Sequence, residues 1–316
     1  MNNTTPYIPD EVKNAASVAS KRGYFDADNE DINEWRDTFI GRFLSRWPGQ
    51  CVTLDVFKAV LGHKPTWADI TDRNLRDLRD ALLVGRCPSS VKTMCAQLKS
   101  VLNANAFNVH LDKDPMELCD TSNALSVKRN PSQAVYLTQQ ELERLDKVHT
   151  ISPVERYVKR IFMIEALTGA RHIDAERISP QHINNENGTL VYRAEKTGKP
   201  VTVPAHKMLP KYLDDTGCTK VNRLTTFNDT LRSLCFRAGI RENITLARRG
   251  EEQQGPKWSF VSSHTGRRTF ATLLYLHGVN VDTIAQLMGH SNPMTTLKNY
   301  ICDQRGLDEK TLAFFK

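Results

Sequence analysis

Several absences narrow the reading of this chain before any residue is singled out. No stretch of its 316 residues approaches the roughly 18 consecutive apolar positions that a membrane-spanning helix requires. Met1 to Asp10 lacks the basic-then-apolar order of a secretory signal, so the expected address is cytoplasmic, with no membrane partner. The seven cysteines are widely spaced, odd in number and contain no C-x-x-C pair. That pattern fits neither a disulfide framework nor a thiolate metal cage, and reduced, mostly buried thiols are expected. No Gly-rich phosphate loop and no carboxylate cluster points to a nucleotide or a metal ion, so the chemistry is expected to need no cofactor and no metal. Internal repeats and low-complexity tracts are lacking as well.

What remains is the composition of a folded protein, with 40% hydrophobic and 25% charged residues and a length that suggests two domains rather than one small core. The formal net charge is +7, and it is unevenly spread. Residues 1–40 carry an excess of four acidic side chains, residues 41–130 an excess of four basic ones and residues 131–316 an excess of seven. A basic body behind an acidic leader suits a polyanionic partner, because each phosphate neutralised by Lys or Arg releases condensed counterions.

Apolar periodicity places the elements. Trp35, Phe39, Ile40, Phe43, Leu44 and Trp47 recur at helical spacing until Pro48-Gly49, and further helices fit Asn74 to Val84 and Ser89 to Asn105. The division expected is an acidic leader over 1–28, a helical domain over 29–120, a polar linker over 121–133 and a second domain over 134–316. In the second domain Thr138 and Glu141 have capping-box spacing, and helices are predicted over 138–147, 153–167, 205–214, 225–238, 264–277 and 280–288. Thr189–Arg193 and Val201–Val203 alternate around the turns Asn187-Gly188 and Lys196-Thr197-Gly198-Lys199, which predicts a small antiparallel sheet. Residues 241–258 read as a polar loop, and Leu307, Leu312, Phe314 and Phe315 as an apolar tail. The fold class is therefore mainly α with a small antiparallel β-sheet.

The densest chemical signal is SSHTGRRTFATLLYLHGVNVDTIAQLMGHSNPMTTLKNY over 262–300. Spacing of i to i+3 points His264 and Arg267 to one side of a helix. Gly289-His290 ends the next short helix, and Tyr300 follows ten residues after His290. Upstream, ALTGARHID sets Arg171 just past a break at Gly169, and Lys196 stands on the hairpin turn. Taken singly, a His-x-x-Arg is an ordinary solvated helix start, a Gly-His pair an ordinary cap and a tyrosine ordinary packing. Taken as an ordered set, Arg171, Lys196, His264, Arg267, His290 and Tyr300 supply a nucleophile, fixed cations for non-bridging oxygens and a proton donor, which are the parts of a phosphoryl-transfer centre. Tyr192, Tyr212 and Tyr275 lie inside strand or helix patterns, where packing is the usual task.

This set resembles the tyrosine recombinase (phage integrase) family, whose signature is an Arg after T-G-x, a hairpin Lys, H-x-x-R, G-H and a late Tyr. SHTGRRTFAT and LMGHSN are its most specific pieces here, and the resemblance runs over about residues 30–305, with the family-like YLTQQEL at 136–142. It implies a helical core-binding (SAM-like) domain followed by a mixed α+β catalytic domain, in a site-specific DNA recombinase that serves integration, excision or inversion of a mobile element. Tyr300 would attack a phosphodiester to give a 3′-phosphotyrosyl link. Arg171, Arg267 and His290 would hold the phosphoryl oxygens, Lys196 would protonate the leaving 5′-oxygen with Lys199 as its competitor, and His264 would assist around the nucleophile. Asp174 stands where the family often has Glu, and is expected to steady the active-site cations. The implied partner is double-stranded DNA, held by a homotetramer on two sites with an accessory DNA-bending protein as a further candidate. Type IB-like topoisomerase activity and a non-catalytic DNA-binding role are the alternatives. For backbone contacts the candidates are Arg73, Arg76, Arg79, Lys92 and Lys99 in the first domain and Arg248, Arg249 and Lys257 in the second. The arginines of the first domain could equally pair with Asp72, Asp77 and Asp80.

Overall fold

The computed structural model describes residues 8–108, 123–128, 133–248 and 251–302. The chain divides into two compact units, Met1–Pro131 and Ser132–Lys316. The described residues are mainly helical with small antiparallel sheets. None of their helices is long and apolar enough to cross a membrane.

The first unit holds α1 (Asp10–Ser20), α2 (Ile32–Trp35), α3 (Phe39–Arg46), α4 (Cys51–Leu61), α5 (Asp72–Leu83) and α6 (Pro88–Asn105). Its core is built from Phe39, Phe43, Leu44, Leu54, Phe57, Leu75, Leu78, Leu82, Val91 and Leu98, all at most 1% exposed. Residues 10–20, expected within a leader apart from this domain, instead form a helix that buries Ala15, Ala16 and Ala19 in the same core. Alanine gives little apolar contrast, yet its small side chain lets α1 lie close against α3. The single helix expected over Trp35–Trp47 is divided, because Thr38 turns out of helical geometry and its hydroxyl accepts from the Gly41 amide at 3.1 Å. Helix α4, which had no counterpart in the pattern, ends at Gly62 in the left-handed conformation.

The second unit opens with α7 (Gln139–Lys147), where Thr138 and Glu141 form the reciprocal capping box that their spacing predicts. Next come α8 (Pro153–Thr168) and the single turn α9 (His172–Ala175). Helix α8 is buried along almost its whole length after its first turn, which marks it as the central helix of this unit. Strands β1 (Ile183–Asn184), β2 (Thr189–Arg193) and β3 (Pro200–Pro204) form an antiparallel sheet in which Leu190 faces Val203 and Tyr192 faces Val201. The sheet is followed by α10 (Leu224–Arg237), α11 (Ser263–Leu276), α12 (Val281–Leu287) and α13 (Pro293–Asn299).

Two expectations are corrected here. Residues 205–214 contain only a short 3₁₀ turn at Pro210–Tyr212, since Pro210 lacks the amide an α-helix would use and crowds the preceding turn. The expected loop at 241–258 contains a second hairpin, β4 (Asn243–Arg248) paired with β5 (Glu251–Pro256). Its inner face carries only Ile244 and the buried Leu246 of β4 as apolar side chains, while β5 is polar or glycine up to Pro256, so the alternation was too short to announce a strand pair. The Gln133 side chain accepts from the Ala247 amide at 3.0 Å while the Gln133 amide donates to the Ala247 carbonyl at 2.8 Å, which extends the outer edge of β4. The apolar tail from Leu307 to Phe315 lies outside the described residues. Cys51, Cys95 and Cys235 are buried thiols.

Candidate active site

The site is assembled where α8 ends and α11 begins. Gly169 closes α8 with φ +67°, and a Cβ there would stand 2.5 Å from the ring of Phe270. Only glycine meets both conditions without strain. The chain then turns into Arg171, which stands half-buried at the start of α9. Helix α11 is entered through a second capping box, the Ser262 amide donating to Thr265 Oγ1 at 3.0 Å. Gly266 lets α11 press against α8, since a Cβ at that position would lie 2.8 Å from Cβ of Glu165.

Arg267, one turn into α11, is only 1% exposed. Its guanidinium donates to the carbonyls of Gly169 and Met288, the latter at 2.7 Å, and to Nε2 of His290 at 2.8 Å. No carboxylate among the described residues lies within ion-pairing distance of it, and its Nε is buried without a partner. Burial, ahead of every other influence, draws its pKa below the ordinary arginine range. A cation removed from water and left without a counter-ion is unfavourable until an anion approaches.

His290 follows Gly289, which ends the α12 segment with φ +64°. Arginine can only donate, so Nε2 of His290 carries the lone pair and the proton resides on Nδ1, which donates to Thr296 Oγ1 at 2.8 Å. Burial, then the charges of Arg267 and Arg171, push the His290 pKa down to about 4. The phenol ring of Tyr300 lies 4.9 Å from the His290 ring, 5.2 Å from the Arg267 guanidinium and 6.2 Å from the His264 ring. His264 is exposed by area but crowded on its inner side. Desolvation first, and then Arg268, Arg267, His172 and Arg171, lower its pKa.

Of the six residues singled out by spacing, the structure groups His264, Arg267, His290 and Tyr300 by direct ring and hydrogen-bond contacts. Arg171 joins them through its field, felt at His264, Arg267 and His290. Lys196 stands exposed on the β2–β3 turn. Asp174 is buried and its Oδ1 accepts from the Glu195 amide at 2.8 Å and from Arg177 at 3.2 Å. It thereby ties the Arg171 segment to the turn that carries Lys196.

Sequence reasoning missed three groups at this place. Glu165 is buried in α8 with its carboxylate 2.7 Å from Nδ1 of His172, and burial pushes its pKa up to about 7. A lone acid inside the apolar run FMIEALT was the available signal. Thr296 and Thr272, both fully buried, hold the backbone around Tyr300. Nothing in the sequence separates them from ordinary helix threonines.

The candidate DNA contacts fare unevenly. Arg73 and Lys92 are exposed. Arg76 pairs with Asp72 at 2.8 Å, and Arg79 pairs with Asp80 at 2.8 Å while donating to the Ala124 carbonyl. Lys99 is half-buried beside Cys95. Arg248 stacks on Phe260, and Arg249 lies outside the described residues. Lys257 is a correction. It is 7% exposed with its ammonium 2.6 Å from the Glu141 carboxylate, so its charge is consumed inside the unit and does not face solvent.

Residues 135–305 match the phage integrase family. The chain is 28% identical over 165 residues to the tyrosine recombinase XerA of Thermococcus kodakarensis, covering 51% of this chain and 55% of that protein. It is 25% identical over 171 residues to the integrase of Escherichia phage P2, covering 54% and 44% respectively. The matched region thus spans about half the length of these relatives. Among solved structures, the Tn1549 transposon integrase in complex with circular intermediate DNA gives a TM-score of 0.58 at 16% identity over 96% of this chain and 98% of that one. A lambda integrase dimer bound to a core site gives 0.55 at 15% identity over 94% and 95%.

Proposed function

Because this chain belongs to the phage integrase family, we propose that it is a site-specific DNA recombinase that cuts and rejoins strands through Tyr300. Oη of Tyr300 attacks the scissile phosphorus, the P–O5′ bond breaks, and a 3′-phosphotyrosyl link and a free 5′-hydroxyl result. The phenol proton leaves toward the neighbouring imidazoles or water, and Lys196 returns one to the departing 5′-oxygen. Rejoining is the same exchange with another strand's 5′-hydroxyl, so one phosphoester replaces another and the bond is conserved throughout.

The observation that carries this reading is the buried guanidinium of Arg267, pre-aimed by two backbone carbonyls, lacking a carboxylate and lying against the Tyr300 ring. Such a cation favours a phosphate most where negative charge accumulates, in the pentacoordinate transition state. Arg171 completes the grip on the non-bridging oxygens, His290 aligns the Arg267 guanidinium by accepting from it through Nε2, and His264 positions the nucleophile. Asp174 serves by holding the turn of Lys196. Double-stranded DNA is the substrate, gripped in part through Arg73, Lys92 and the remaining basic side chains. By likeness to the lambda integrase tetramer bound to a Holliday junction, four copies act on two sites, with integration, excision or inversion of a mobile element as the outcome and an accessory DNA-bending protein as an additional partner.

The test uses a nicked duplex that carries the junctions flanking the gene. Wild-type protein should form a covalent, protease-sensitive adduct, and Tyr300→Phe should bind equally well and form none. An adduct that persists in Tyr300→Phe would overturn the assignment, and plasmid relaxation without strand exchange would favour a topoisomerase.

A further inference from the structure

Thr296 makes a set of contacts that no assigned role explains. Its side chain is fully buried, and its hydroxyl accepts from Nδ1 of His290 at 2.8 Å. Its own carbonyl accepts from the amides of Tyr300 at 3.0 Å and Ile301 at 3.1 Å. From the opposite side, Thr272 of α11 donates through Oγ1 to the Tyr300 carbonyl at 3.2 Å and accepts from the Cys302 amide at 3.0 Å. The backbone of Tyr300 is therefore held at both its amide and its carbonyl, and one of the two clamps also holds the imidazole.

We propose that Thr296 is a positioning residue that couples the orientation of His290 to the seating of Tyr300, so that the imidazole that accepts from Arg267 is aligned only while the tyrosine turn is docked. The inference rests on the recombinase reading for its consequence in catalysis, and on geometry alone for the coupling. If the turn carrying Tyr300 lifts away, the last turn of α13 loses two hydrogen bonds, Thr296 shifts with it, and Nδ1–H of His290 loses its acceptor. The ring then has nothing to hold its other edge toward Arg267. A centre with the nucleophile absent is thereby also a centre with a misaligned imidazole.

The experiment compares wild type, Thr296→Val, Thr296→Ser, Thr272→Val and the double variant Thr296→Val with Thr272→Val. Adduct formation is measured at saturating DNA, and imidazole ¹⁵N–¹H spectra are recorded on ¹⁵N-histidine-labelled protein without DNA. Wild type should show a single His290 signal set with the proton on Nδ1. Thr296→Val should broaden or split that set and slow adduct formation about tenfold, the effect of one lost hydrogen bond, with the half-saturating DNA concentration unchanged. Thr296→Ser should restore both. Thr272→Val, which touches Tyr300 and Cys302 and not His290, should perturb the His290 signals when Thr296 is present and add nothing when it is valine.

Unchanged His290 signals in Thr272→Val overturn the coupling, and that arm decides even if Thr296→Val does not fold. Failure of Thr296→Ser to rescue reduces Thr296 to a packing residue. Should wild type form no adduct while the spectra behave as expected, the recombinase reading falls and the coupling stands.

Discussion

Replacing Lys257 with methionine separates a structural role for this lysine from a DNA contact. Its ammonium sits 2.6 Å from Glu141, with side chains 9% and 6% exposed, and 5.3 Å over the ring of Tyr136. Methionine preserves most of the apolar stem but leaves the Glu141 carboxylate buried, with the Thr138 amide at 2.8 Å as its remaining described donor. Breaking a buried pair from one side costs about 3–5 kcal/mol, set against a typical domain stability of about 5–15 kcal/mol. The second unit should therefore unfold at a markedly lower urea concentration, read by far-UV circular dichroism. Glu141→Gln combined with Lys257→Met should recover most of the loss, because glutamine still accepts from the Thr138 amide and carries no charge. In a DNA titration at several salt concentrations, the variant should keep the wild-type slope, since a lost phosphate contact would make it shallower by about 0.9. A normal urea midpoint together with that shallower slope would refute the reasoning.

Four further outcomes follow from the site. Arg171→Ala should slow adduct formation about 10²–10³-fold, or about 2.7–4 kcal/mol of transition-state stabilisation, with duplex affinity largely kept; a collapse of affinity in a gel-shift titration would show that its role is binding. Gly169→Ala forces a left-handed alanine at a cost of about 1–2 kcal/mol and drives its Cβ into Phe270. It should lower the urea midpoint and, by displacing the carbonyl that Arg267 uses, suppress the adduct as well. For His290, the folded pKa of about 4 lies below its ordinary 6.5, so between those values the unfolded chain binds a proton that the folded chain refuses. Stability contributed by this group is present above pH 6.5 and is lost as pH falls toward 4. Urea midpoints across that window should drop less steeply in His290→Asn than in wild type. Glu165, whose raised pKa gives the opposite slope between 4.5 and about 7, should be exposed by the same series in Glu165→Gln, where stability should fall less as pH rises.

Much of the fold was legible because its signals are local. Helices α6, α8, α10 and α11 show apolar residues at helical spacing, and the Thr138–Glu141 capping box needs only two side chains three residues apart. The elements that escaped carry weak contrast for identifiable reasons. Helix α1 buries only alanines, and the β4–β5 hairpin offers just Ile244 and Leu246 as an alternating apolar pair and is held partly by Gln133, more than a hundred residues away in the chain.

Residue type and spacing alone determined which atoms could do chemistry here: the phenol of Tyr300, the guanidiniums of Arg171 and Arg267, the imidazoles of His264 and His290 and the ammonium of Lys196. Nucleophilicity and fixed charge are properties of the side chains themselves, so an ordered set of them is readable in one dimension. Whether a given lysine faces solvent or an acid, which nitrogen of His290 holds the proton, and that Arg267 is buried with no carboxylate of the described residues in ion-pairing distance were decided only by the tertiary structure. Burial and hydrogen-bond partnership arise from residues distant in the chain, such as Gly169 and Met288 for Arg267 or Glu141 for Lys257, and no local pattern encodes them.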